Sequence, residues 1–393
     1  MEGWFKVKRT ALAVALIAGV VQATNVYAVG GERQEGDREK TEEAESYKPK
    51  LPLVAVPADS VVIEDFFWDL QFKTVRSLYP EMRSSGFKDL PKANRKLREE
   101  WERDYERLLP TGVVEGEEDE AASALEMAKK SFALALATGE TKYFAAMEHC
   151  LYNGVAGRMA DFGGEHIEEV AQMLTDLPGM IFATSGTDVY INMFVRNTAY
   201  VDNGTLDVMF VSTVSDPWFN EYLLQMKFMG GEHHMKLHLR LPEWEKDSVL
   251  PCADYDRRKS RYTLTVSGNL VTPKVEDGYV VVEREWTDSD FVVLRLPTSI
   301  MRVALRKDPG NLMIQKGSLL YTFVNIPESC GIDKSDAIHS EFDKDRHTNV
   351  LSAPCYDEEG VVCGEYRAEP YAFNRLNPLA RLSVPVRVKK KEE

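Results

Sequence analysis

The hydrophobic period of this chain changes once, near Ile181, and that change limits the folds open to it. Upstream, Leu97, Trp101, Tyr105, Leu108 and Leu109 recur at helical spacing and mark one face of a helix. Ala121 to Ala137 is rich in Ala, Leu, Met and Lys, all strong helix formers, and Gly139 stands where such a helix would end. Further helices fit Tyr143–Tyr152 and Ile167–Leu177, the second stopped by Pro178-Gly179. Val61-Val62-Ile63 followed by Phe66, Phe67 and Trp68 reads as a bulky, β-prone entry. Residues 51–180 are therefore expected to form a helical domain of about four to six helices.

Downstream the period is two. Asp188 to Phe194, Met235 to Leu241 and Tyr279 to Glu283 alternate, and turn signals such as Asp202-Asn203-Gly204 and Ser267-Gly268-Asn269 separate the strands. Strands that bury one face each, at this spacing, predict antiparallel sandwiches. The expected class is an α+β multidomain chain, with a helical domain followed by two antiparallel β-sandwich domains over 181–300 and 301–393. The boundary between the sandwiches is expected near Pro297 to Val303.

Charge narrows the partners. Lys and Arg number 48 against 63 Asp and Glu, a net −15, so neither nucleic acid nor an anionic lipid surface finds the clustered cations it needs. Residues 1–28 read as a cleavable leader: Lys6, Lys8 and Arg9 precede an apolar run, Ala11 to Val21, too short to span a bilayer, and Val26-Tyr27-Ala28 offers a cleavage site. Residues 29–50 read as a charged linker. The expected destination is secreted or periplasmic, with no stable membrane anchor. None of the five cysteines forms a C-x-x-C pair. Cys355 and Cys363 flank a turn at Glu359-Gly360 and are expected to form a disulfide between two short strands.

Several strings resemble glycoside hydrolase family 127, the β-L-arabinofuranosidase-like proteins. They are Leu177 to Phe194 (LPGMIFATSGTDVYINMF), His238 to Trp244 (HLRLPEW), Tyr262 to Gly268 (YTLTVSG), Asp277 to Trp286 (DGYVVVEREW) and Gln315 to Tyr321 (QKGSLLY). The helical string Tyr143 to Val155 (YFAAMEHCLYNGV) and the opening Val62 to Trp68 (VIEDFFW) are similar to family segments as well. The resemblance implies an (α/α)₆ catalytic barrel followed by two β-sandwiches. Twelve barrel helices need on the order of 200 residues, more than Leu51 to Gly179 supplies, so a reduced barrel is expected.

The family resembled uses a zinc-bound cysteine as nucleophile and a glutamic acid to protonate the leaving oxygen. On that pattern Glu165-His166 stands where a Cys-Cys pair would be, Glu120 falls on the ligand Glu, Ala122 on a ligand Cys, and Glu99 on the acid/base position. The catalytic candidates are thus Glu165, with Glu99 or Glu120 as its acid, in the two-carboxylate arrangement of retaining glycosidases. Glu120 and His166 are the candidates for a metal. No cofactor is expected, and zinc only if the family's site survives in altered form. Glu165 and Glu168 equally suit the charged first turn of a helix. The function this implies is an exported glycoside hydrolase-like protein, degenerate in its catalytic residues, that acts on or binds arabinose-containing glycans of plant or other origin. The alternatives are a non-catalytic carbohydrate-binding accessory protein or a structural protein. Glu232-His233-His234 sits in an alternating stretch that turns neighbours to opposite faces, against a shared ion. Trp218, Trp244 and Trp286 suit either sugar stacking or a sandwich core.

Overall fold

The computed structural model describes residues 52–161, 164–214, 221–229, 233–242, 250–256, 261–344 and 348–390. The leader and linker, Trp218 and Trp244 lie outside them.

Among the described residues there are five α-helices: α1 (Phe66–Leu78), α2 (Arg95–Glu106), α3 (Glu120–Thr138), α4 (Thr141–His149) and α5 (Ile167–Asp176). Side chains start three of them. Asp65, Asn94 and Asp119 accept hydrogen bonds from Phe67 N (3.0 Å), Leu97 N (2.9 Å) and Ala122 N (2.9 Å), satisfying N–H groups that a helix start otherwise leaves without acceptors. Gly139 ends α3 in the left-handed region at φ 73°, where a Cβ would be penalised. The Phe66-Phe67-Trp68 entry is helical, not extended. Phe67, Trp68, Gln71 and Val75 are buried while Phe66 and Leu70 face solvent, so the Asp65 cap and a helical apolar stripe outweigh the β-propensity of the aromatics.

Asp65 pays for its position. Burial pushes its carboxyl up to about 6, against the lowering effect of the backbone N–H groups it accepts from and of Arg196. A carboxyl with a raised folded-state pKa favours folding below its unfolded value near 4, and the contribution is lost as pH rises to about 6. Asp65→Asn keeps a capping oxygen and removes the buried charge. It should raise stability at pH 7 by about 1–3 kcal/mol and leave stability unchanged below about pH 4. Urea melts of both proteins across that range would check this, and a gain that persists at pH 3.5 would contradict it.

Helix α4 runs on without a break into a π-helical turn, Cys150–Val155, buried at every residue. This turn is where the helices meet the sheets. Asn153 donates to Ser318 O (2.8 Å) and accepts from Leu320 N (2.9 Å). Just beyond it, Gly157 has φ +82°, and a Cβ there would lie 1.9 Å from Ala372 O.

Three sheets follow. A six-stranded sheet runs in the order Val54–Ala55, Phe182–Ser185, Asp188–Ile191, His233–Arg240, Tyr279–Trp286 and Lys274–Glu276. A seven-stranded sheet runs from Asn269–Val271 through Thr263–Val266, Phe291–Arg295, Glu221–Phe228, Asp207–Val214 and Asn197–Asp202 to Val61–Ile63. A nine-stranded sheet holds the strands between Ile300 and Pro385, with Ala253–Asp256 on its edge against Ile300–Leu305. The alternating segments Asp188–Ile191, His233–Arg240 and Tyr279–Trp286 are strands as expected. Two short strands ahead of α1 join the first two sheets, and Ala253–Asp256 crosses to the third, so each sheet borrows sequence from its neighbour. Trp286 is buried and donates to Met235 O (2.8 Å), a core role rather than sugar stacking. His233 stacks on Phe228, and His234 approaches Glu283 at 3.6 Å.

The disulfide is not the one expected. Cys363 bonds Cys330, with Cα atoms 6.6 Å apart, and Cys355 is free and buried. Cys355 pairs across the ladder with Gly364 and Tyr356 with Val362, leaving Cys363 as the unopposed residue of a bulge. Cys330 reaches it because Gly331 forms a bridge with Tyr356.

Candidate functional site

The N-terminus of α3, the loop carrying Gly157 and Arg158, and Arg375 from the C-terminal region enclose an open cavity of about 260 Å³. Glu118, Asp119, Glu120, Asp161 and Glu165 all line it. Two of the residues singled out from sequence, Glu120 and Glu165, are thus brought to one cavity. Glu99 is not. It lies on α2, where it pairs with Arg95 at 2.8 Å in solvent, and it does not line this cavity.

Glu120 starts α3 and turns toward two guanidiniums, Arg158 at 3.4 Å and Arg375 at 3.9 Å. His166 lies in the left-handed region at φ 58° just before α5. Its Nε2 lies 2.8 Å from Asp119 Oδ2 and its Nδ1 lies 3.4 Å from Glu169 Oε1. Slight desolvation, which would lower the His166 pKa, is outweighed by these carboxylates, which raise it. Asp119 is lowered in turn, first by the Ala122 N–H that it caps and then by His166. Glu168 and Glu169 occupy the first turn of α5, whereas Glu165 precedes the helix and opens to the cavity.

A metal finds little here. Both ring nitrogens of His166 are engaged by carboxylates, and Ala122 offers only a methyl group. Cys150, the one thiol of the helical region, is buried at the start of the π-turn, and burial pushes its pKa far above the ordinary range. Among the described residues no group of three or more His, Cys, Asp or Glu side chains is arranged to hold a metal ion. A thiolate–zinc site therefore does not fit these residues.

Arg158 and Arg375 escaped the sequence reading. Arg375 donates to Asn153 O (2.9 Å), a residue 222 positions away, and no local signal announces such a partner.

Residues 188–298 match the family described as "Beta-L-arabinofuranosidase, GH127 middle domain". Over these residues the chain resembles family 127. It is 26% identical over 161 residues to a non-reducing end β-L-arabinofuranosidase of Bifidobacterium longum subsp. longum, a match over 39% of this chain and 22% of that protein. A solved GH127 β-arabinofuranosidase superposes with a TM-score of 0.62 at 19% identity, over 71% of this chain and 54% of the other. A GH127 β-L-arabinofuranosidase from Geobacillus stearothermophilus T6 gives 0.60 at 15%, over 74% and 56%. These likenesses show that the helices and mostly antiparallel sheets share the fold of those structures over about seven-tenths of this chain. The chain spans little more than half the length of the two solved structures and about a fifth of the curated relative.

Proposed function

We propose that this family 127 relative binds arabinose-containing glycans in the cavity at the start of α3, and that any hydrolysis there runs on carboxylates rather than on a metal-bound thiolate. The observation that carries this reading is the meeting of Glu120 and Glu165 at one cavity while Cys150 lies buried outside it. In a two-carboxylate mechanism Glu165 attacks the anomeric carbon as the leaving oxygen takes a proton from Glu120, and water then releases the sugar. A buried, protonated thiol cannot take the first of these roles.

The chemistry leads to a definite expectation. Arabino-oligosaccharides should bind in calorimetry, while simple aryl arabinosides should release no aryl alcohol. Slow turnover of a natural glycan, where measured, should survive chelators and thiol alkylation and disappear in Glu165→Gln. Release abolished by a chelator or by alkylation of Cys150 would overturn the reading, as would the absence of glycan binding. The proposed setting is an oxidising compartment reached through the leader at residues 1–28, a reading that the Cys330–Cys363 disulfide supports.

A further inference from the structure

The floor and the rim of this cavity carry opposite charge. Glu118, Glu120, Asp161 and Glu165 on the rim are all exposed, and water screens exposed charges. The two cations lie deeper. The Arg375 side chain is 8% exposed and that of Arg158 17%.

Both guanidiniums converge on a single atom. Arg158 Nε donates to Gly154 O at 2.5 Å, and Arg375 Nη2 reaches the same oxygen at 3.3 Å. Arg375 also donates to Asn153 O and packs over the Tyr371 ring, 4.6 Å from its centroid. These partners are neutral. The one carboxylate that pairs with them in the described contacts, Glu120, accepts from Arg158 at 3.4 Å and lies 3.9 Å from Arg375, longer than the roughly 2.7–2.9 Å of a tight charge-assisted hydrogen bond. Desolvation lowers the Arg375 pKa and the neighbouring Arg158 charge adds to the effect, against the raising influence of Tyr371 and Glu120. Among the described residues two largely buried cations thus share one carboxylate, that of the exposed Glu120. Helix α3 adds its positive end, since Glu120 and Ala121 of its first turn line the same cavity.

We propose that this cavity selects glycans bearing a carboxylate: a uronic acid unit whose carboxylate sits on Arg158 and Arg375, while the rim carboxylates accept hydrogen bonds from the sugar hydroxyls. The inference rests on the glycan-binding reading above and adds the charge of the ligand. It suits the site because a planar carboxylate matches the two-pronged donor geometry of a guanidinium. It would also relieve the repulsion between the two cations.

The test uses the full chain and three probes of equal length: a neutral arabino-oligosaccharide, one carrying a single uronic acid, and the methyl ester of the latter. Calorimetry at low salt should show the acid binding at least about tenfold more tightly than its ester, a difference of about 1.4 kcal/mol, with the advantage shrinking as salt rises. Arg158→Gln should bring the affinity for the acid close to that for the ester. The acid–ester comparison needs no variant, so a folding defect cannot obscure it. Equal affinity for acid and ester overturns this inference and leaves glycan binding standing. Failure of all three probes to bind overturns both.

Discussion

Glu148→Gln should destabilise the protein by about 3–5 kcal/mol, the usual consequence of leaving one member of a buried ion pair without its partner. Glu148 lies near the end of α4, 5% exposed, and bonds Arg240, which is fully buried on the strand His233–Arg240. Arg240 Nε also donates to Asn192 O (2.7 Å), and Tyr279 donates to Asn192 Oδ1 (2.8 Å). Arg240 Nη1 has no hydrogen-bond partner among the described residues, so the charge of Glu148 is its main compensation. Replacing both members with apolar residues of similar size, Glu148→Leu with Arg240→Met, should recover most of the loss because no buried charge remains. Urea melts of the two variants decide the point. A Glu148→Gln loss below about 1 kcal/mol would mean that water reaches Arg240 and that the pair behaves like a surface bridge.

Removing the Cys330–Cys363 disulfide, as Cys330→Ser with Cys363→Ser, should cost about 3–4 kcal/mol. The bond spans 33 residues, and the chain-entropy treatment gives that magnitude for a loop of this length. Cys355 should not take over. It is buried, and burial pushes its thiol up to about 12, leaving too little thiolate for exchange at neutral pH. Denaturation of the double variant, and of the native protein with and without reductant, should show the same drop. A single Cys363→Ser variant should keep a reactive thiol at Cys330 after unfolding. Unchanged midpoints, or a Cys330–Cys355 bond in the single variant, would contradict this.

The legible parts of the fold were those governed by local patterning. Helix α3 could be read from its composition and from Gly139, because propensity and capping act within a few residues. The strands at Asp188–Ile191 and Tyr279–Trp286 showed their alternation because each buries one face against a core. The misreadings involve tertiary partners. Phe66 to Trp68 carry strand-like side chains, but a cap at Asp65 and a buried stripe through Val75 set their conformation. Cys363 needed knowledge of a bulge and of the bridge that brings Cys330 close. At the site, Glu120 and Glu165 follow from the family resemblance, and Glu99, carried over with them, lies on the exposed face of α2. Arg158 and Arg375 carry no motif, and only the folded chain places them on one carbonyl.

The grip on the π-turn sets an order of assembly. Asn153 and Gly154 have local partners in His149 and Arg158, but Ser318 and Leu320 on Asn153, Ala372 beside Gly157 and Arg375 on both carbonyls come from far along the chain. In a nascent chain these contacts to the π-turn cannot close until residues 318–375 have been synthesised. Such long-range closure slows folding and prolongs the exposure of apolar surface. Fragments that stop short of Tyr371 lack the last of these partners, Ala372 and Arg375.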